Sequence, residues 1–185
     1  MKKADLHERR FKGDVERLRS SQRVALLEVE RVVDLCLEGN RVDNVLDVGT
    51  GSGIFAEAFS HRVKSVTGID PNPEMLKAAK TFVPGGTFLS GTVENIPLED
   101  KSFDIVFMGH VLHESDDIVK ALSEAKRVAK KRICILEWPY KEEENGPPLE
   151  HRLETREIFD AAKRVGLASL ETIQLQHMVL HRLTA

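Results

Sequence analysis

Residues 103–109 read FDIVFMG, an apolar run with no alternating polar face. A strand of that kind must be covered on both sides, which points to a parallel sheet with helices packed above and below it. The rest of the chain supplies the parts such a sheet needs. VDNVLDV (42–48), SVTGID (65–70), TFLSGTV (87–93) and RICILEW (132–138) are further strand-like runs. Between them stand helical patterns: IFAEAFSHR (54–62), NPEMLKAAKTF (72–82) and DDIVKALSEAKRVAK (116–130). The second of these is opened by Asn72, with Pro73 at its first position. Strands alternating with helices define βα units and a parallel sheet.

Ahead of the first strand, residues 14–38 space their apolar side chains by three or four, as an amphipathic helix does, and Gly39 is a stop. A break at Ser20–Ser21 divides that helix. After the last strand-like run, the polar loop PYKEEENGPPLEH (139–151) leads to a helix over TREIFDAAKRVG (155–166). SLETIQLQ (169–176) and MVLHRLTA (178–185) follow, too close together for a helical crossover, and are expected to pair as an antiparallel hairpin at the sheet edge. No repeat or linker divides the chain, so residues 1–185 are expected to form one domain. Residues 1–39 would be a helical extension able to close over a site.

Composition narrows the function classes. Of 185 residues, 41% are hydrophobic and 31% charged, which suits a soluble globular protein. A net charge of −3 speaks against general nucleic-acid binding. The basic residues near the start (Lys2, Lys3, Arg9, Arg10, Lys12, Arg17, Arg19) are interleaved with acids and read as a solvated helix face. Cys36 and Cys134 sit in apolar surroundings and read as core thiols of a reduced compartment. No His/Cys cluster has metal spacing, no apolar run would span a bilayer, and no secretory signal is evident, so a cytoplasmic location without a metal is expected. His7, His61, His151, His177 and His181 read as polar surface or edge residues.

The chemistry concentrates at VLDVGTGSG (45–53). In a doubly wound sheet, ligands bind beyond the carboxyl ends of the strands, where the strand order reverses. Gly49, Gly51 and Gly53 fall on alternate positions, so the dinucleotide spacing G-x-G-x-x-G is not met: Ile54 stands at the third offset. No lysine follows as in a phosphate-binding loop. Asp70, at the end of the second strand, can accept from both hydroxyls of a ribose. Asp47, just ahead of the glycines, would repel a pyrophosphate and suit an amino-bearing ligand. Together they ask for a ligand with a ribose, no phosphate and positive charge.

VLDVGTGSG, VTGIDPNPEML, GTVENIPLEDKSFDIVFMGHVLHE and the closing hairpin resemble the motifs of class I S-adenosylmethionine (SAM) dependent methyltransferases, over roughly residues 40–185. The group that includes ubiquinone and menaquinone C-methyltransferases is the nearest in pattern. The resemblance implies a Rossmann-like, doubly wound, mostly parallel seven-stranded sheet with an antiparallel C-terminal edge hairpin. It implies SAM as cofactor and S-adenosylhomocysteine as product. Carried over by position, Asp47 would place the methionyl amino group, and Gly49 and Gly51 would pass under the methionyl part. Gly53 would start the following helix near the ligand. Asp70 and Pro71 would flank the ribose, with Asp70 accepting from its hydroxyls, and Met75 would lie beside the adenine. Val93 and Glu94 would read the adenine edge. Thr92 stands where the family commonly has aspartate, which weakens any bond to the adenine amino group. Gly109 and His110 would lie near the methionyl carboxylate and the reacting methyl.

The acceptor would bind over the fourth and fifth strand ends, beside His110, His113, Glu137, Trp138 and Tyr140. His110 titrates near neutrality and is the first candidate for a general base; lining the cofactor pocket without proton transfer is the other role open to it. His113 is a second catalytic candidate, or a residue that holds the strand-to-helix loop. Trp138 and Tyr140 either stack on a flat acceptor or pack under the following loop, and Glu137 would orient an amine or hydroxyl. The expected activity is methyl transfer to a small molecule by a monomer or homodimer. A SAM-binding subunit without chemistry, and methylation of a protein or RNA, are the alternatives.

Overall fold

The computed structural model describes residues 15–39, 41–167 and 169–185. His7 and the basic residues before position 15 lie outside them, as does that part of the N-terminal extension. The sheet has seven strands: β1 (Asn44–Val48), β2 (Ser65–Asp70), β3 (Thr87–Ser90), β4 (Phe103–Gly109), β5 (Ala129–Glu137), β6 (Leu170–Gln174) and β7 (Val179–Thr184), in the order β3-β2-β1-β4-β5-β7-β6. The first five run parallel, and β7 lies antiparallel between β5 and β6. The order reverses between β1 and β4, so the crevice expected of a doubly wound sheet opens there.

The helices are α1 (Val15–Leu18), α2 (Ser21–Leu26), α3 (Val29–Leu37), α4 (Ile54–Ser60), α5 (Pro73–Phe82), α6 (Ile118–Val128) and α7 (Thr155–Arg164). Strand periodicity divides the core in two. Leu46, Val48, Val106, Met108, Ile133 and Ile135 face α6 and α7, while Val45, Ile105, Phe107, Cys134 and Leu136 face α3 and α4. FDIVFMG feeds both layers, which is why it carries no polar face. Cys36 and Cys134 are buried in the second layer. No helix among the described residues is long and apolar enough to cross a membrane.

Several boundaries differ from the sequence reading. The segment 116–130 is helical only to Val128; Ala129 is already extended and pairs with Phe103. TFLSGTV keeps its strand only to Ser90, because the chain turns between Thr92 and Asn95. Ser20 breaks the N-terminal helix as expected and caps α2, its Oγ accepting from the Arg23 N–H at 3.3 Å. A second break, at Glu28 (φ 47°), is imposed from outside the segment, since its Oε2 accepts from the Gln176 N–H at 2.7 Å. His181 is buried rather than on an edge: β7 is an inner strand, and Nδ1 of His181 lies 3.0 Å from the Thr172 hydroxyl.

Candidate active site

A cavity of about 580 Å³ runs along the carboxyl ends of β1, β2, β4 and β5. Its floor at the β1 end is the glycine loop. Gly49, Gly51 and Gly53 all have left-handed φ values, of 70°, 53° and 81°, which explains their alternation. Their surroundings differ. A Cβ on Gly49 would stand 2.7 Å from Val111, and one on Gly53 3.0 Å from Ala79 of α5, so these two permit packing. At Gly51 the space is open, apart from the Gly49 carbonyl at 4.0 Å, and the residue lines the cavity. The loop is tied down by N–H bonds from Gly49 and Thr50 to the Ile69 carbonyl, at 2.9 and 3.0 Å.

Two carboxylates flank this loop. Asp70 Oδ2 accepts from the Gly51 N–H at 2.9 Å and Oδ1 from the Asn72 N–H at 2.8 Å. Burial raises its pKa against those two bonds. Asp47 is buried, and its Oδ2 accepts from the Thr50 hydroxyl at 2.7 Å. Burial, with Asp70 adding to it, pushes Asp47 up to about 7, although Thr50 and the Ala56 amide pull the other way. A cation placed there would restore its charge. Pro71, Asn72 and Met75 line the next stretch, followed by Thr92, Val93 and Glu94. Glu94 accepts from the Asp116 N–H at 2.7 Å.

Beyond β4 the wall changes character. Gly109 is followed by His110 in the left-handed region at φ 57°, an arrangement that costs a non-glycine residue about 1–3 kcal/mol. Both imidazole nitrogens of His110 are buried and bond to nothing among the described residues. Burial, opposed by Glu137 and helped by His113 and Arg23, lowers its pKa to about 3. Its ring lies 5.0 Å from that of Trp138. His113 is held through Nδ1 by Glu137 Oε2 at 2.7 Å, while its N–H donates to Oε1 at 3.1 Å. Both side chains are buried, at 7% and 2% exposure. Burial works to raise Glu137, but the charge and bonds of His113 outweigh it and the net shift is downward.

The cavity thus brings together Asp47, Gly49, Gly51, Asp70, Pro71, Met75, Val93, Glu94, Gly109, His110, His113 and Trp138. Gly53 stands behind the loop, Glu137 behind His113, and Tyr140 outside the cavity, half exposed. The sequence reading expected the N-terminal extension to close over a site but singled out none of its residues for it, nor the loop after β5. Arg17, Leu18, Arg23 and Leu27 of the N-terminal helices and Gly146–Pro147 of the loop after β5 also line the cavity. Arg152 shapes that loop, donating to the carbonyls of Pro139, Lys141, Asn145 and Pro147 at 2.7–3.1 Å. Gly146 (φ 94°) lies so close to Trp138 that a Cβ would stand 2.6 Å from the indole. Arg19 fastens the helices to the floor: it donates to the Ser52 carbonyl at 3.0 Å, pairs with Glu57, and lies 3.6 Å over the Phe82 ring.

Fold and site together resemble those of SAM-dependent methyltransferases, and the chain is similar to such proteins in sequence and in structure. Residues 46–133 match the family described as "Methyltransferase domain". A demethylmenaquinone methyltransferase of Chlorobaculum tepidum is 37% identical over 99 residues, 53% of this chain and 41% of that protein. A malonyl-[acyl-carrier protein] O-methyltransferase of Serratia marcescens is 35% identical over 94 residues, 51% of this chain and 37% of that protein. The chain therefore spans less than half the length of these curated relatives. A SAM-dependent methyltransferase structure from Aquifex aeolicus superimposes with a TM-score of 0.83 at 28% identity, covering 94% of this chain and 99% of that one.

The residues present fit the cofactor: Asp47 is a buried carboxyl with a raised pKa whose charge an ammonium would favour, and Asp70 offers a carboxylate at the second strand end. One consequence is a pH dependence. Below about pH 7 Asp47 carries a proton that it must lose to face an ammonium, so affinity for S-adenosylhomocysteine should be full above that pH. Below it, affinity should fall by up to tenfold per unit. Calorimetry between about pH 8 and pH 6 checks this, and a flat profile that tilts in neither wild type nor Asp47→Asn would rule it out.

Proposed function

We propose that the protein transfers the methyl group of SAM to a small-molecule acceptor bound beneath the roof, between Trp138 and the His110–His113 turn. One observation carries this reading: a single cavity joins the Asp47–Asp70 end to the buried His113–Glu137 pair. The sulfonium supplies an already activated methyl, so the chain's task is to align the acceptor and exclude water. The relatives named for demethylmenaquinone and malonyl-[acyl-carrier protein] support a small acceptor or acyl group.

Where the acceptor must lose a proton, the geometry favours His113 over His110. An imidazole lowered to about 3 is a weak base near neutrality. Glu137 orients the His113 ring through Nδ1 and would stabilise its protonated form. His110 then lines the cavity as a neutral group. Its strained backbone turns the chain from β4 over the reaction site, with its N–H anchored on the Leu136 carbonyl at 2.9 Å. The N-terminal helices, clamped by Arg19, would act as the lid.

Labelled SAM incubated with a metabolite extract tests for transfer. Once an acceptor is found, His113→Gln is expected to lower turnover by about 100-fold or more, with S-adenosylhomocysteine affinity little changed. Intact cofactor binding with no transfer to any fraction would favour a SAM-binding subunit instead.

A further inference from the structure

We propose that Arg152 is a positioning residue for the acceptor end of the cavity: it orders the loop after β5, and through that loop it fixes the indole of Trp138 and the ring of His110. That this end receives an acceptor rests on the methyl-transfer reading above; the coupling from Arg152 to His110 does not need it.

Arg152 stands just ahead of α7 and is only 5% exposed. Its four side-chain bonds all end on carbonyls of the loop it closes: Lys141 at 2.7 Å, Asn145 at 2.8 Å, Pro147 at 2.9 Å and Pro139 at 3.1 Å. A buried charge is tolerated only when it is hydrogen-bonded. A guanidinium spreads its donors over several acceptors in a fixed plane, which an ammonium cannot do. The carbonyls it takes are informative. Pro139 directly follows Trp138, and Asn145 and Pro147 flank Gly146. A Cβ on Gly146 would stand 2.6–2.9 Å from three atoms of the indole, so the backbone there lies against the ring. The guanidinium carbon is itself 5.7 Å from the indole centroid. One side chain therefore holds Trp138 both through its backbone and through its ring.

That ring in turn meets His110, 5.0 Å away and tilted by 39°. No hydrogen bond orients the imidazole among the described residues, so packing must do so, and the indole is the ring it packs against. His113 differs, since Glu137 holds it at 2.7 Å. Trp138, Gly146, Pro147 and His110 all line the cavity, whereas Arg152 does not. Arg152 sets this wall from behind, and the loop it orders shapes the acceptor's seat.

Trp138 is the only tryptophan, so its emission reports on the wall without any turnover. Its quenching by acrylamide would be measured alongside the ring resonances of 13C-labelled histidine, assigned with His110→Gln and His113→Gln. Arg152→Lys keeps the charge and loses the four-carbonyl geometry; Gly146→Ala keeps Arg152 and pushes on the indole directly. Both are expected to raise the quenching of Trp138 by about twofold or more. Both should displace the resonances of His110, which lie in the ring current of the indole, while those of His113 hold their place. In a Trp138→Leu background, Arg152→Lys should cause no further displacement at His110. Affinity for S-adenosylhomocysteine should stay within about threefold of wild type, because the Asp47 and Asp70 end is untouched. Turnover with the first acceptor found should fall on the order of tenfold or more in Arg152→Lys. A folded Arg152→Lys or Gly146→Ala, checked by thermal melts, whose Trp138 quenching and His110 resonances match the wild type overturns the proposal. So does a shift of His110 and His113 together, which would mean general loosening, or a displacement at His110 that persists without Trp138. Failure of the wild type to bind S-adenosylhomocysteine would instead sink the methyltransferase reading, while the coupling is still read from the same spectra.

Discussion

Asp70→Ala is expected to weaken binding of SAM and S-adenosylhomocysteine by about 100-fold. The carboxylate is buried and already holds two backbone amides, those of Gly51 and Asn72. Removing it would delete the acceptor proposed for the ribose and would also release the glycine loop from the end of β2. Hydrogen bonds to a charged group contribute about 1.5–3 kcal/mol each, so two lost or misplaced bonds account for that factor. Asp70→Asn should fall nearly as far, because an amide can accept from only one of the two N–H groups. Calorimetry with S-adenosylhomocysteine, with thermal melts to confirm folding, measures the effect; an affinity within threefold of wild type would mean that Asp70 serves the loop alone.

The second large effect falls on stability. Glu137→Ala is expected to destabilise the protein by about 3–5 kcal/mol, because it breaks a fully buried pair and leaves His113 without its partner. For a chain of this size that corresponds to a melting temperature lower by roughly 10 °C. The pH dependence has a definite sign. The folded pKa of Glu137 lies below its ordinary value, so its contribution is fully present above the unfolded pKa and is lost as pH falls through the folded one. The gap between wild type and Glu137→Gln should therefore be widest near neutrality and narrow in acid. Melts at neutral and acid pH decide the matter, and a gap that stays constant or widens in acid would show that Glu137 does not act as a carboxylate.

Much of the site could be read from the chain because it depends on local geometry. Three left-handed glycines on alternate positions leave a spacing that shows in the sequence, and an acid at a strand end is visible as such. What could not be read depends on parts of the chain far apart. Glu28 breaks a helix because Gln176 holds its carboxylate. Arg152 looks like a solvated arginine and becomes buried because four carbonyls of the preceding loop turn toward it. Tyr140 shares a segment with Trp138 and has the same aromatic character, yet one is exposed and the other buried. His110 and His113 are alike in the sequence and differ because only one of them has a carboxylate at its ring.

The bond between Glu28 and Gln176 spans 148 residues. Further along α3, the carbonyls of Leu35 and Cys36 accept from Arg182 and Arg132 at 2.8 Å. Segments far apart in the chain are thus sewn together on one side of the cavity. During synthesis the first helices emerge long before the strands they rest on, and α3 has no complete seat until β7 has been made. Closing so long a loop carries an entropic cost that local contacts do not offset in advance. The floor of the cavity, built from β1, α4 and β2, can assemble from a contiguous half of the chain; the seat of α3 is completed only with β7. A chain truncated before β7 would keep the residues of the floor and lose the seat on which the chamber closes.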